Sequence, residues 1–363
     1  MAETVLVAGA SGLVGAACVD AFLEGGDEVI AVSRRRPEVF SERPFRHLPV
    51  DLRDGEACRS AFSGLGRVTR VVYAAVHELP GLIPGWVSQE QMETNLAMLR
   101  NLMGPLEAAA GGLRHVALMQ GTKAYGAHLH PIRVPARERQ GRDDHANFYW
   151  LQEDDVRERA EAGGWKWTIM RPQLVVGPTY GVVMNLPPVI GAFAALCRAT
   201  GRPFGFPGGA DWVWEAADVR LVASAIRWSG DAPAAADQHF NLTNGEVFSW
   251  RDMWPALADA LGVEPGPDEP VRMADFLPAH AGVWDEVVRR HGLRPLSMAE
   301  LLGESHHYAD LCFAYGAEQP PPPTYLSTVK IRQAGFGDSY DTEESFVHWL
   351  RVLVDRKVLP PAG

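Results

Sequence analysis

Three glycines at three-residue spacing, Gly9, Gly12 and Gly15, break an otherwise apolar opening run, TVLVAGASGLVG over residues 4–15. Residues 4–8 are β-branched and apolar enough for a buried strand, and the residues from Leu13 onward have helical spacing. A strand that turns on glycines into a helix makes a seat for an anion. The glycines allow a tight turn and close backbone approach, and the helix start offers unpaired amides and the positive end of its dipole. A pyrophosphate suits that seat, and a dinucleotide is its natural carrier. The spacing G-x-x-G-x-x-G is a variant of the usual fingerprint, and such a turn alone often does no more than reverse the chain, so its neighbours decide. At the end of the next apolar stretch, residues 28–32, stands Ser33-Arg34-Arg35-Arg36. An acidic residue near this point would bind the ribose 2′-hydroxyl of NAD, whereas a basic cluster suits the 2′-phosphate of NADP. A solvated charged turn is the alternative use of the same residues.

The elements that must carry these residues alternate. Strands are expected at 4–8, 28–32, 45–50, 68–74, 115–120 and 166–171, with helices between them, the longest at 89–110 and broken only near Gly104-Pro105. This pattern predicts an α/β fold, a doubly wound parallel sheet with right-handed crossovers. Ligands of such a sheet sit at the carboxyl ends of its strands, which adds Asp51 and Leu52, and Ala74, Ala75 and Val76, as candidate contacts. Asp51 serves equally well as the cap of a helix over 54–62. Residues 127–146 read as a long surface loop near the site, and 320–323 as a stiff proline linker. Asp341 with Glu344 three positions on announces a last helix that places Phe346, Trp349, Leu350 and Leu353 on one face, as core packing. The expected division is a dinucleotide-binding domain over 1–178, to which 212–245 returns, and a smaller, mainly helical substrate lobe with a closing segment over 179–211 and 246–363.

At 363 residues the chain can bury a large core, and its formal net charge of −11 speaks against nucleic acid or an anionic membrane surface as the main partner. A small-molecule substrate is expected. No apolar run approaches transmembrane length and no charged leader precedes the first strand, so the expected compartment is the cytoplasm. Four well-separated cysteines, without C-x-x-C, read as reduced and buried. His128 and His130, and His306 and His307, lack a ligand frame and read as surface or lobe residues, so no metal is expected. The Trp-rich lobe, with Trp212, Trp214 and Trp284, is expected to help cover an apolar pocket, although core packing is the commoner use of such residues.

Taken with Asp51-Leu52, Asn95 in the long helix and Arg171-Pro172 after the sixth strand, the glycine turn resembles that of an extended short-chain dehydrogenase/reductase of the Rossmann type. One departure is decisive. Most of that superfamily carries a lysine four residues after its catalytic tyrosine, and here Tyr149 is followed at that position by Glu153. Lys123, just after the fifth strand, lies where the superfamily often carries its active-site serine segment, and the serine position itself is Gly121. This rearrangement, with N-F-Y-W-x-x-E-D, Ser33-Arg34-Arg35, Met184-Asn185, Phe240-Asn241 and the stretch from Ser327 to Trp349, is similar to the progesterone 5β-reductase and iridoid synthase-like family over nearly the whole chain.

The resemblance implies NADPH-dependent reduction of the activated C=C bond of an enone, with Tyr149 and Lys123 as the catalytic pair that stabilises the enolate. The cofactor contacts it implies are Gly9, Ser11, Gly12, Leu13 and Val14 at the turn; Ser33, Arg34 and Arg35 at the phosphate; and Asp51, Leu52, Ala74, Ala75 and Val76 along the strand ends. Gln120, Tyr149, Pro172, Leu174, Val175 and Met184 complete the set. Tyr125 reads as packing. Two alternatives stay open: an NADP-dependent carbonyl reductase or sugar-nucleotide epimerase or dehydratase, against which Glu153 counts, and a non-catalytic dinucleotide sensor, against which Tyr149 and Lys123 count. The family often forms homodimers, and no interface signature marks a dimer face here.

Overall fold

The computed structural model describes residues 3–362. Seven parallel strands form one sheet in the order Gln238–Leu242, β6 (Lys166–Pro172), β5 (His115–Met119), β4 (Arg70–Tyr73), β1 (Thr4–Ala8), β2 (Glu28–Val32), β3 (Arg46–Leu48). From β1 the chain moves outward through helix α1 (Leu13–Glu24) to β2 and β3, then crosses back through α2 (Gly55–Phe62) to β4 on the other side of β1. The strand order therefore reverses between β1 and β4. That reversal opens a crevice beyond the strands' carboxyl ends, where the glycine turn lies.

Side-chain alternation along β1 sets the two helical layers. Leu6 and Ala8 pack with residues of α2, α3 (Gln89–Ala109) and α4 (Phe148–Gly163), whereas Val5 and Val7 pack with α1 and the helix Val219–Ser229. The break expected near Gly104-Pro105 does not occur. Pro105 gives up one backbone donor, and fully buried Leu102, Met103 and Leu106 hold α3 together across it. The strand Gln238–Leu242 lacks a long apolar run, so its sequence did not announce it. It pairs with β6, setting Asn241 opposite Arg171.

A third core is built by the helices Pro187–Thr200, Trp250–Leu261 and Thr342–Asp355 with the short helices between Met273 and Cys312. The last of these long helices starts as expected, with the Asp341 carboxylate accepting from Glu344 N at 2.8 Å, and it buries Phe346, Trp349, Leu350 and Leu353. Trp284 does not help cover a pocket. It is enclosed in this core, its Nε1 donating to Leu296 O at 2.9 Å.

Glu215 is buried between two short strands and accepts from Leu326 N at 2.7 Å, and burial pushes its carboxyl pKa up to about 7. The folded state thus holds a proton that the unfolded chain, with a carboxyl near 4.3, releases earlier. Stability tied to this group is full below pH 4 and is lost as pH rises towards 7, a swing of up to about 3 kcal/mol. Glu215→Gln keeps the acceptor and removes the charge, so its melting temperature is expected to exceed the parent's at pH 8 and to match it at pH 4.5, as thermal unfolding at the two pH values would read.

Candidate active site

The crevice opens into a cavity of about 790 Å³. Its wall includes Gly9, Ser11, Gly12, Leu13 and Val14 from the turn and α1, Ser33, Arg34 and Arg35 after β2, and Asp51 and Leu52 after β3. Ala74, Ala75 and Val76 after β4, Gln120 and Lys123 after β5, Tyr149 at the start of α4, and Pro172, Leu174, Val175 and Met184 complete the residues that the sequence singled out. One cavity thus brings together groups drawn from seven segments of the chain.

The turn has the form an anion seat requires. Gly9 has φ +76°, and a Cβ there would lie 2.6 Å from Ala75 N, while a Cβ on Gly15 would lie 2.1 Å from Gly9 O. Only glycine permits this approach of β1, β4 and α1. Helix α1 has no side-chain cap and no acidic residue in its first turn, so its leading amides keep their positive field beside the cavity. Arg34 and Arg35 are exposed on the rim, and neither forms an ion pair among the described residues. Asp51 is not the helix cap: Asp54 takes that place, accepting from Glu56 N and Ala57 N, each at 3.0 Å. Asp51 instead pairs with Arg53 at 2.6 Å, whose hydrogen bonds hold its pKa down to about 2. These residues could hold a dinucleotide, with the pyrophosphate on α1 and a phosphate at the arginines.

Tyr149 lies in the first turn of α4, where the Asn147 side chain accepts from Tyr149 N at 3.0 Å. Asn147 is itself held by His145, which is paired to Asp143 at 2.8 Å. The phenol oxygen stands over Gly121, so close that a Cβ there would come within 3.3 Å of it. Glycine at the usual serine position gives the phenol its room. Burial, and then the charge of Glu78, push the Tyr149 pKa well above the ordinary phenol value, so it remains a donor at neutral pH. Lys123 sits on the single 3₁₀ turn Thr122–Tyr125 after β5. It is not a surface charge: its Nζ lies 4.3 Å from the Trp86 ring, 5.8 Å from the Tyr149 ring and 3.7 Å from Glu78 Oε1. Burial lowers its pKa and Glu78 opposes that.

Glu153, at the position of the usual lysine, points into a polar cluster behind the site. Burial works against its charge, but His239 at 3.1 Å and hydrogen bonds from Gln120 and Arg142, each at 3.0 Å, outweigh it and hold the carboxyl well below its usual range. Arg171 donates to Gln120 Oε1 at 2.8 Å, so this cluster braces the floor beneath Tyr149. Tyr125 packs as expected, its hydroxyl donating to Asn241 at 2.6 Å.

Several wall residues carried no sequence signal. Glu78 and Trp86 come from the β4–α3 segment, whose course depends on Asn95 gripping both His77 N (2.9 Å) and His77 O (2.8 Å). Tyr308 arrives from a helix far along the chain. His128 is a wall residue and not a surface one; both ring nitrogens are buried without a partner, and burial followed by the charge of Lys123 lowers its pKa to about 4. Pro321 and Pro322, expected as linker, also form wall, beside the stacked rings of Trp212 and Trp214, 4.6 Å apart. Ile83, Leu129 and Leu311 add exposed apolar surface at the same cavity. Among the described residues no helix is long and apolar enough to cross a membrane, and no three His, Cys, Asp or Glu side chains gather as a metal-ligand set.

A family model described as the NAD dependent epimerase/dehydratase family matches residues 5–243. The (S)-8-oxocitronellyl enol synthase of Antirrhinum majus is 28% identical over 380 residues, covering 99% of this chain and 93% of the relative. The 3-oxo-Delta(4,5)-steroid 5-beta-reductase of Arabidopsis thaliana is 28% identical over 381 residues, with 99% and 93% covered. Both bear out the resemblance read from the motifs. Among solved structures, the Thermus thermophilus UDP-glucose 4-epimerase complex with NAD superposes with a TM-score of 0.66 at 20% identity, over 96% of this chain and 99% of that one. The epimerase Mth375 of Methanothermobacter thermautotrophicus reaches 0.70 at 15% identity, over 98% and 94%. These structures share the fold.

Proposed function

The chain belongs to the NAD dependent epimerase/dehydratase family, and from that premise we propose that it is an NADPH-dependent reductase of the activated C=C bond of enones. The names of its relatives support this reading, one of them describing reduction at a Δ4,5 bond of a 3-oxo steroid. One arrangement carries it: the Lys123 ammonium lies 5.8 Å from the Tyr149 ring, and both share a cavity with the glycine seat. When bound, the reduced nicotinamide supplies hydride for the β-carbon of the enone.

Negative charge then collects on the carbonyl oxygen, and donors aimed at that oxygen lower the barrier most. Tyr149 offers a protonated phenol and Lys123 an ammonium, together forming an oxyanion hole. The α-carbon takes its proton from solvent, so no tyrosine–lysine acid relay is needed and Glu153 can replace the usual lysine. Arg34 and Arg35 select the 2′-phosphate. The apolar wall around Trp212 and Trp214 seats the hydrocarbon part of the substrate. The test is NADPH oxidation with cyclohexenone, with cyclohexanone and with neither. Turnover with the enone alone is expected. Equal turnover of the ketone would make the protein a carbonyl reductase, and tight NADPH binding without turnover of either would leave a dinucleotide sensor.

A further inference from the structure

Building on that reading, we propose that Glu78 is a positioning residue for the reduction: its carboxylate fixes Lys123 Nζ beside the substrate's oxygen and keeps the proton on it. The Glu78 side chain has no exposed surface, and Oε1, which has no hydrogen-bond partner, lies 3.7 Å from Lys123 Nζ. Its other oxygen accepts from Gln91 Nε2 at 2.5 Å, and Gln91 Oε1 in turn accepts from Leu79 N at 2.8 Å. Gly85 makes room for this grip, since a Cβ there would lie 2.1 Å from Gln91 Oε1. Helix α3 thus holds the carboxylate in place from behind.

Fold stability does not account for the pair. An ion pair taken out of water seldom outperforms a well-packed apolar one, so its place on the wall of a reaction cavity points to chemistry. Lys123 otherwise meets aromatic rings, Trp86 at 4.3 Å and Phe148 at 5.9 Å. A lysine enclosed this way without an anion holds its proton less tightly, and a neutral amine stabilises an enolate far less. Apart from Glu78, the titratable groups that face it directly supply no negative charge, and the Asp143 carboxylate behind His128 is paired with His145. His128 is neutral, and Tyr149 is a protonated phenol with Arg171 and Tyr308 beyond. Among the described residues Glu78 is the one carboxylate within ion-pair distance of Lys123.

The experiment compares pH profiles of kcat for the parent, Glu78→Gln and Glu78→Met, the last leaving no buried polar atom if the amide variant folds poorly. In both variants the alkaline fall in kcat is expected at least about one pH unit earlier than in the parent, as befits loss of an opposite charge within 4 Å. In the Lys123→Arg background, whose guanidinium does not titrate, adding Glu78→Gln is expected to leave the profile in place. Binding of 4-nitrophenol, an oxyanion mimic, to the protein loaded with NADP⁺ should weaken over the same shifted range without turnover. Superimposable profiles for parent and both Glu78 variants would overturn the inference, as would a shift that persists in the Lys123→Arg background. If instead Lys123→Met turned over at the parent rate, the failure would lie in the oxyanion-hole reading itself.

Discussion

Tyr149→Phe is expected to lower kcat for enone reduction by about 10²- to 10³-fold, the usual cost of removing one oxyanion-hole donor, while NADPH affinity and melting temperature stay near the parent's. The phenol hydroxyl makes no hydrogen bond within the described residues, so its removal orphans no internal partner and leaves the packing of the Phe148 and Tyr149 rings intact. The α4 start is set by Asn147 and not by the phenol. Because the hydroxyl is needed only when charge reaches the substrate oxygen, kcat and kcat/KM should fall together. Steady-state kinetics beside thermal unfolding and NADPH titration separate this from damage to the fold. Turnover at the parent rate would remove Tyr149 from the reaction. Lys123→Met should cost less if the phenol is the nearer donor, and the double variant should fall short of the product of the two, since both act on one oxygen.

Where local pattern decides structure, the sequence was legible. The strand at Thr4–Ala8, its glycine turn and the helix behind it are all written within consecutive residues, and so are the start of α4 at Asn147 and the capped last helix at Asp341. What could not be read depends on residues far apart. The strand Gln238–Leu242 is defined by its partner β6 more than by its own pattern. Glu78 looks like a loop charge until Gln91 and Lys123 enclose it, and His128 like a surface residue until Trp86 and His145 close around it. Tyr308 reaches the cavity only because the helical core folds back over the strand ends. Asp51 read as a possible cap of α2, but Asp54 directly precedes the helix and caps it, while Asp51 is held by Arg53.

Replacing Arg34 and Arg35 together by Ala is expected to raise the Kd for NADPH by about 10²-fold while changing that for NADH only a few-fold. A charge-assisted hydrogen bond contributes about 1.5–3 kcal/mol, and at an exposed rim the lower end applies, so two guanidinium groups give about 3 kcal/mol. The position at the end of β2 matters as much as the charge. The Ser33 hydroxyl donates to Arg35 O at 2.6 Å and His47 contacts Ser33 O at 3.0 Å, which fixes the turn so that both arginines reach the cavity. Arg36 differs. It lies over the Phe45 ring at 4.5 Å and is not part of the wall, so Arg36→Ala serves as a control in which neither affinity should move. On the proposed reading both cofactors would share the pyrophosphate seat on α1, and only NADPH carries the extra phosphate, so the contrast isolates that group. Equal weakening of NADPH and NADH would show that the arginines act on the shared part of the molecule. The preference should also shrink as salt is raised, because exposed pairs are screened beyond about 8 Å at physiological ionic strength and more strongly above it.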